Sequence, residues 1–174
     1  MQDPAAIGRD WGISRYKIPI IVGIVVLVVV GAAAFFVLSF KPPVDISKAP
    51  HLSSSLDPQT LFPQQLAGQN LDSALDDVSG YNDLSYKGSY SIFTVVIGKA
   101  DSAVEASRII RDESQSFEGV SGSHATAGNW FTYDGSGSEL GWSDGQWFFI
   151  ISADDGGTRN LAAQGLIDFM NQHG

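Results

Sequence analysis

A run of 23 uncharged residues, Ile18 to Phe40, constrains this chain more than any other feature. As a helix rising about 1.5 Å per residue it is roughly 34 Å long, enough to cross a hydrocarbon core of about 30 Å. The run therefore predicts a single N-terminal transmembrane helix over 18–40, preceded by a short cytoplasmic tail over 1–17. A cleaved signal peptide is the competing reading. Arg9, Arg15 and Lys17 form a basic n-region, and Ala32-Ala33-Ala34 offers an A-x-A-like site. Cleavage there leaves Phe35-Phe36-Val37-Leu38 as a sticky start for a mature protein, and the apolar stretch continues to Phe40. Both points favour an uncleaved anchor.

The flanks orient that anchor. Three basic residues precede it and two, Lys41 and Lys48, follow closely, a weak positive-inside signal. The stretch 41–174 carries seven basic and seventeen acidic side chains, which suits an acidic domain outside the membrane. Trp11 and Tyr16 fit a headgroup region. Gly23, Gly31, Ala32 and Ala33 would permit close helix pairing, although no strict G-x-x-x-G is present.

Composition removes whole function classes. Without cysteine there is no disulfide, thiolate metal site, thioether-linked haem or cysteine nucleophile. A net charge of −9 argues against nucleic acid as a partner, because phosphate contacts need clustered Lys and Arg. The absence of any N-x-[ST] sequon and the Asp-heavy, Lys-poor surface suit a prokaryotic envelope.

Proline marks the next boundary. Residues 41–80 hold five of the seven prolines and residues 81–174 hold none. Residues 41–56 mix Pro with Ser and have no apolar period, which predicts a stalk. Asp57-Pro58 opens a short helix, with Asp as N-cap and Pro at the first position. Leu61, Phe62, Leu66 and Leu71 then predict that 57–80 docks as a lead-in to a domain spanning 57–174.

Within that domain Tyr90–Gly98 is β-branched and aromatic on both alternating faces, the pattern of a central strand. Ser102 and Glu105 form a capping box for a helix whose stripe is Ala103, Val104, Ala106, Ile109 and Ile110. Residues 119–128 read as a Ser/Gly/Ala-rich loop. Strands follow over 129–134, 139–143 and 146–153, the last two joined by an Asp144-Gly145 type I′ turn. That turn sets Trp142 opposite Trp147 and Gly141 opposite Phe148. Leu140, Trp142, Trp147, Phe149 and Ile151 share one face. Thr158 caps a final helix carrying Leu161, Ala162, Leu166, Phe169 and Met170.

The order is β-α-β-β-β-α, with an extra strand near 81–87. It predicts an α+β domain in two layers: an antiparallel sheet of four to five strands with both helices on one face. Phe148, Ile150 and either Phe131 or Trp130 then lie on a bare second face. The lead-in, a second copy or a partner must cover it. These four residues are the candidate interaction surface, although aromatics in so small a domain serve first as core.

Chemistry-bearing motifs are sparse. His51, His124 and His173 fall in linker, loop and tail without ligand spacing. Ser121 and Ser123 do not complete a G-x-S-x-G elbow. Asp134 and Glu139 flank a Gly/Ser turn and are weak calcium candidates, far short of an EF-hand loop. Gly156-Gly157 precedes a helix, but Asp154 and Asp155 would repel a phosphate there.

The expectation is a membrane-anchored extracytoplasmic interaction or binding domain, a non-enzymatic accessory subunit of a cell-envelope complex with no cofactor. Its partners would be membrane lipid along 18–40 and either a protein or a second copy of itself. The alternative is a small-ligand receptor or enzyme with a pocket between the sheet and loop 119–128. A buried carboxylate with a raised pKa beside a cavity would favour that alternative. A signalling regulator fits less well, since 1–17 is too short for a cytosolic domain.

Overall fold

The computed structural model describes residues 42–72, 75–78 and 84–173. The expected membrane helix over 18–40 and the tail over 1–17 lie outside these residues. Among the described residues no helix is long and apolar enough to cross a membrane.

The chain forms strands β1 (Gln65–Leu66), β2 (Gln69–Asn70), β3 (Asp76–Asp77), β4 (Ser85–Tyr90), β5 (Phe93–Lys99), β6 (Ser123–Ala127), β7 (Trp130–Asp134), β8 (Ser138–Asp144) and β9 (Trp147–Ala153). Among the described residues two α-helices accompany them, α1 (Ala103–Gln115) and α2 (Gly156–His173). β1 and β2 pair as a small separate hairpin. The other seven strands form one antiparallel sheet in the order β3-β4-β5-β9-β8-β7-β6. The α+β class holds, and the sheet is wider than expected.

β9 dictates how the helices sit. Its odd positions Trp147, Phe149 and Ile151 are buried in one core cluster with Ala162, Ala163, Leu166, Ile167 and Met170 of α2. Its even positions Phe148 and Ile150 are buried in a second cluster with Phe131 and with Ala106, Ile109 and Ile110 of α1. The helices therefore cover opposite faces, giving three layers rather than the expected two. Burying a side chain of this size is worth about 1.5–3 kcal/mol. A central strand that is apolar on both faces cannot leave one of them wet, and α1 covers what the sequence reading left bare.

The lead-in consequently goes elsewhere. Leu61, Phe62 and Leu66 join the α2-side cluster, extending that layer over β4 and β5. Asp57 accepts from the Gln59 N–H at 3.0 Å and Pro58 opens the short 3-10 turn Pro58–Leu61, as expected. Phe62 packs so closely on β4 that a Cβ at Gly88 would fall 2.6 Å from its ring. The stalk is not free either. Val44 is buried in the same cluster, and Ile46, Ala49, Leu52 and Leu56 pack against it. Asn171 of α2 donates to the Lys48 carbonyl at 3.0 Å, and Lys99 donates to the Ser54 carbonyl. The folded unit thus begins at Pro42, and one residue, Lys41, separates it in sequence from Phe40. Apolar residues spaced without a period gave no helical or strand signal, yet each finds a place on the core.

Two local readings are corrected. Tyr90–Gly98 is not one strand: the chain turns at the exposed Ser91-Ile92, and Tyr90 pairs with Phe93, their rings stacked at 4.8 Å. The β8–β9 turn is Gly145-Gln146, with Asp144 opposite Trp147 and Trp142 opposite Phe149. Gly145 has φ +55° while Gln146 does not have positive φ, the sign pattern of a type II′ turn with glycine first. Trp142 and Phe149 stack at 4.9 Å. The register differs from the expected one by two residues, the strand period, so the division into faces survived the error.

Candidate functional site

The four residues expected to form an interaction surface are core. Trp130 is 7% exposed, Ile150 3%, and Phe131 and Phe148 are fully buried. Phe148 lies across Gly98 of β5 and Phe131 across Gly141 of β8. A Cβ at either glycine would come within 2.1 Å and 2.3 Å of the covering ring. The aromatics fill the space left by the bare glycines, as aromatic rescue requires. Phe131, Phe148 and Ile150 pack under α1, while Trp130 belongs to the core on the opposite, α2 side.

The two weak calcium candidates point apart. Strand alternation places Asp134 with Trp130 on the α2 side, and Glu139 with Gly141 on the α1 side. Asp134 is ion-paired at 2.8 Å with Arg159 of α2, whose guanidinium also donates to the Tyr133 and Glu139 carbonyls at 3.1 and 3.2 Å. Among the described residues no group of three or more His, Cys, Asp or Glu side chains could hold a metal ion. Arg159 is 2% exposed and clamps the start of α2 to the β7–β8 turn. Sequence reasoning passed over it, although it is the only Lys or Arg after Arg111. The glycine at 156 serves this clamp, because a Cβ there would fall 2.8 Å from Asp134 Oδ1.

Glu139 is a different case. Oε2 accepts from Ser152 Oγ at 2.9 Å, and Oε1 is buried with no hydrogen-bond partner among the described residues. Burial pushes its carboxyl up to about 7, partly opposed by the Ser152 bond and reinforced by the Glu113 carboxylate on α1. Directly paired positions continue from it across the sheet on the α1 side: His124, Tyr133, Glu139, Ser152, Thr94 and Ser89. His124 bonds Ser114 of α1 at 2.9 Å, and Tyr133 stacks on Phe117 at 4.3 Å while donating to the Ser121 carbonyl. α1 lies over β7, β8 and β9, and Ser152, Thr94 and Ser89 remain half-exposed.

His124 and Ser123 belong to strand β6, not to the loop expected over 119–128. The overlooked signal was Gly128-Asn129, a two-residue turn between Ala127 and its partner Trp130, with Gly128 at φ +62°. His51 bonds Asp144 at 2.7 Å at the β8–β9 turn, and His173 stacks on Phe169 in the last turn of α2. The three histidines thus lie apart, His51 in the irregular segment before the Pro58–Leu61 turn, His124 on β6 and His173 on α2.

β6 gives the sheet an edge of unusual character. The opposite edge is β3, two residues long and made of two aspartates, Asp76-Asp77. Short length and charge both protect an edge from pairing with another strand. β6 is five residues long, and the stretch 119–129 around it has no Asp, Glu, Lys, Arg or Pro. Ser123 and Thr126 are exposed, and Val120 is 47% exposed. Alternate residues of such an edge turn their N–H and C=O groups outward, a template for a further strand. A scan against family models finds no match for the chain, and a search of curated proteins likewise finds none.

Proposed function

We propose that this chain is a membrane-anchored extracytoplasmic interaction domain, a non-enzymatic accessory subunit of a cell-envelope complex. The apolar run Ile18–Phe40 supports the anchor, and the excess of acidic over basic groups in 41–174 supports placing the domain outside. A cysteine replacing the exposed Ser136 should react with a membrane-impermeant maleimide in intact cells, and one replacing Ala6 should not. The reverse labelling pattern would invert the topology.

The unprotected β6 edge carries the interaction reading. Both faces of the central strands are covered within the chain, so a partner is not needed to complete the core. Among the described residues no strand pairs with the outer edge of β6, and adding a strand there uses main-chain hydrogen bonds. Ser123→Lys with Thr126→Lys places two charges on exposed edge positions, the usual natural protection. The doubly substituted full chain should lose its stoichiometric partner in a detergent pull-down read by mass spectrometry, with a differently tagged copy of the chain among the partners scored. Retention of the same partners would overturn the assignment to β6.

Glu139 favours a second reading, a small-ligand receptor. A carboxyl titrating near neutrality, bonded to Ser152 and followed across the sheet by the half-exposed Thr94 and Ser89, is suited to a ligand rich in hydrogen-bonding groups.

A further inference from the structure

We infer that the occupant of the β6 edge is a second copy of this chain, its β6 paired antiparallel with the first about a two-fold axis at Ala125. The inference rests on reading β6 as the interaction edge and identifies what adds to it.

Charge makes the case for a like partner. The stretch 41–174 has ten more acidic than basic groups, so two copies repel over most of their surfaces. At the β3 edge the approach would set Asp76-Asp77 of one copy against the same pair of the other. The stretch 119–129 is free of formal charge, and there two copies can meet without opposing carboxylates.

The strand is also complementary to itself. A two-fold axis at Ala125 sets Ala125 opposite Ala125, His124 opposite Thr126 and Ser123 opposite Ala127. Directly opposed residues must share a face. His124 and Thr126 lie on the α1 side, with Tyr133 and Phe131, while Ser123, Ala125 and Ala127 lie on the α2 side, with Asp134, Thr132 and Trp130. Every opposed pair meets that condition, and none sets two bulky or like-charged groups together. Ala125 and Ala127 already pack against the α2-side core and are only partly buried, so the added strand would extend that layer. The contact is isologous and closes after two copies, giving one sheet of fourteen strands instead of a filament.

A single strand pair buries less area than an independently stable dimer requires, about 1,200 Å² or more. Confinement to one membrane raises the effective concentration that such an edge needs. The experiment therefore uses the full chain in its own membrane.

The chain has no cysteine, so single cysteines report proximity without background. Residues directly opposed in an antiparallel pair have Cα atoms about 4.5–5.5 Å apart, inside the range a disulfide spans. Ala125→Cys should give, on mild oxidation, a disulfide-linked species of twice the chain mass as its main product. Thr126→Cys alone should not, because its symmetry mate lies two residues along, beyond about 7 Å. Adding Ser123→Lys and Thr126→Lys to Ala125→Cys should abolish the linked dimer. A monomer at Ala125→Cys, or a disulfide to a different protein, overturns the second copy. If the edge lysines nevertheless remove a different protein from the pull-down, β6 remains the interaction edge and only the identity of its occupant fails. A dimer that persists with both lysines overturns the pairing at β6 itself.

Discussion

The Glu139 carboxyl lies between β8 and α1, one oxygen on Ser152 and the other enclosed, and this ties stability to pH. Its folded value, about 7, stands above its unbound value of 4.5. Between those values the folded state holds a proton that the unfolded state has released. The stabilisation is therefore complete below about pH 4.5 and is lost as pH rises through 7. At 1.36 kcal/mol per unit the loss is at most about 3 kcal/mol. Glu139→Gln keeps the shape and removes the charge. It should raise the melting temperature at pH 8 and change it little at pH 5, so that the variant's profile is flatter across that interval. A parallel shift at both values would mean that the glutamine acts through packing. None of this was legible in the sequence, where Glu139 read as a turn-flanking acid. Its burial comes from α1 lying on that face, a tertiary fact that no local pattern carries.

At the scale of elements, the helices and most strands announced themselves. Ser102 caps α1 by accepting the Glu105 N–H at 3.2 Å, as the capping box predicts, while the Glu105 side chain turns to Arg108 instead of back to the cap. The cap of α2 is Asp155, not Thr158: its carboxylate accepts the Thr158 N–H at 3.0 Å and hydroxyl at 2.7 Å. The bond from the Thr158 hydroxyl, and after it the bond from the Thr158 N–H, lowers the Asp155 carboxyl from its ordinary value. Ala103 and Val104, expected in the buried stripe of α1, are exposed, Val104 by 81%; the sheet-facing side carries Ala106, Ile109 and Ile110 with Ser107 and Ser114, which bond Ser143 and His124. The pairing of glycines with rings is the feature that locks β5, β9, β8 and β7 together on the α1 side. Phe148→Ala should cost about 3–5 kcal/mol, as large core truncations do. Gly98→Ala forces the Phe148 ring to move and should cost about 1–3 kcal/mol by overpacking. Combined, the two changes should cost less than their sum, since the new methyl enters the space the ring vacates. Chemical denaturation of both single variants and the double variant measures the coupling. Strict additivity would show that the ring does not fill the place of a side chain at 98.

For the whole molecule, the sequence pattern located the α+β class and the alternating faces, and it misjudged where folding begins. Prolines at 42, 43 and 50, with Ser47 among them and Ser53 to Ser55 after them, read as a stalk, because neither a period of two nor one of 3.6 appears. Irregular segments can still bury apolar groups one at a time, and this one does so with Val44 at 6% exposure and Ile46, Ala49, Leu52 and Leu56 around it. Its backbone is held by side chains remote in sequence, Asn171 and Lys99, which no local reading can foresee. The fragment 42–174 should consequently be more stable than 57–174. Burial of one valine side chain alone is worth about 1.5–3 kcal/mol, with the four partly buried neighbours adding to it. We expect the denaturation midpoint of 57–174 to fall well below that of 42–174, and its exposed core face to bind a hydrophobic dye. Val44→Ser in 42–174 should reproduce part of the loss, which separates the removal of a packed side chain from a general effect of shortening the chain. Equal midpoints for the two fragments would return 42–56 to the role of a stalk and move the start of the folded unit to Asp57.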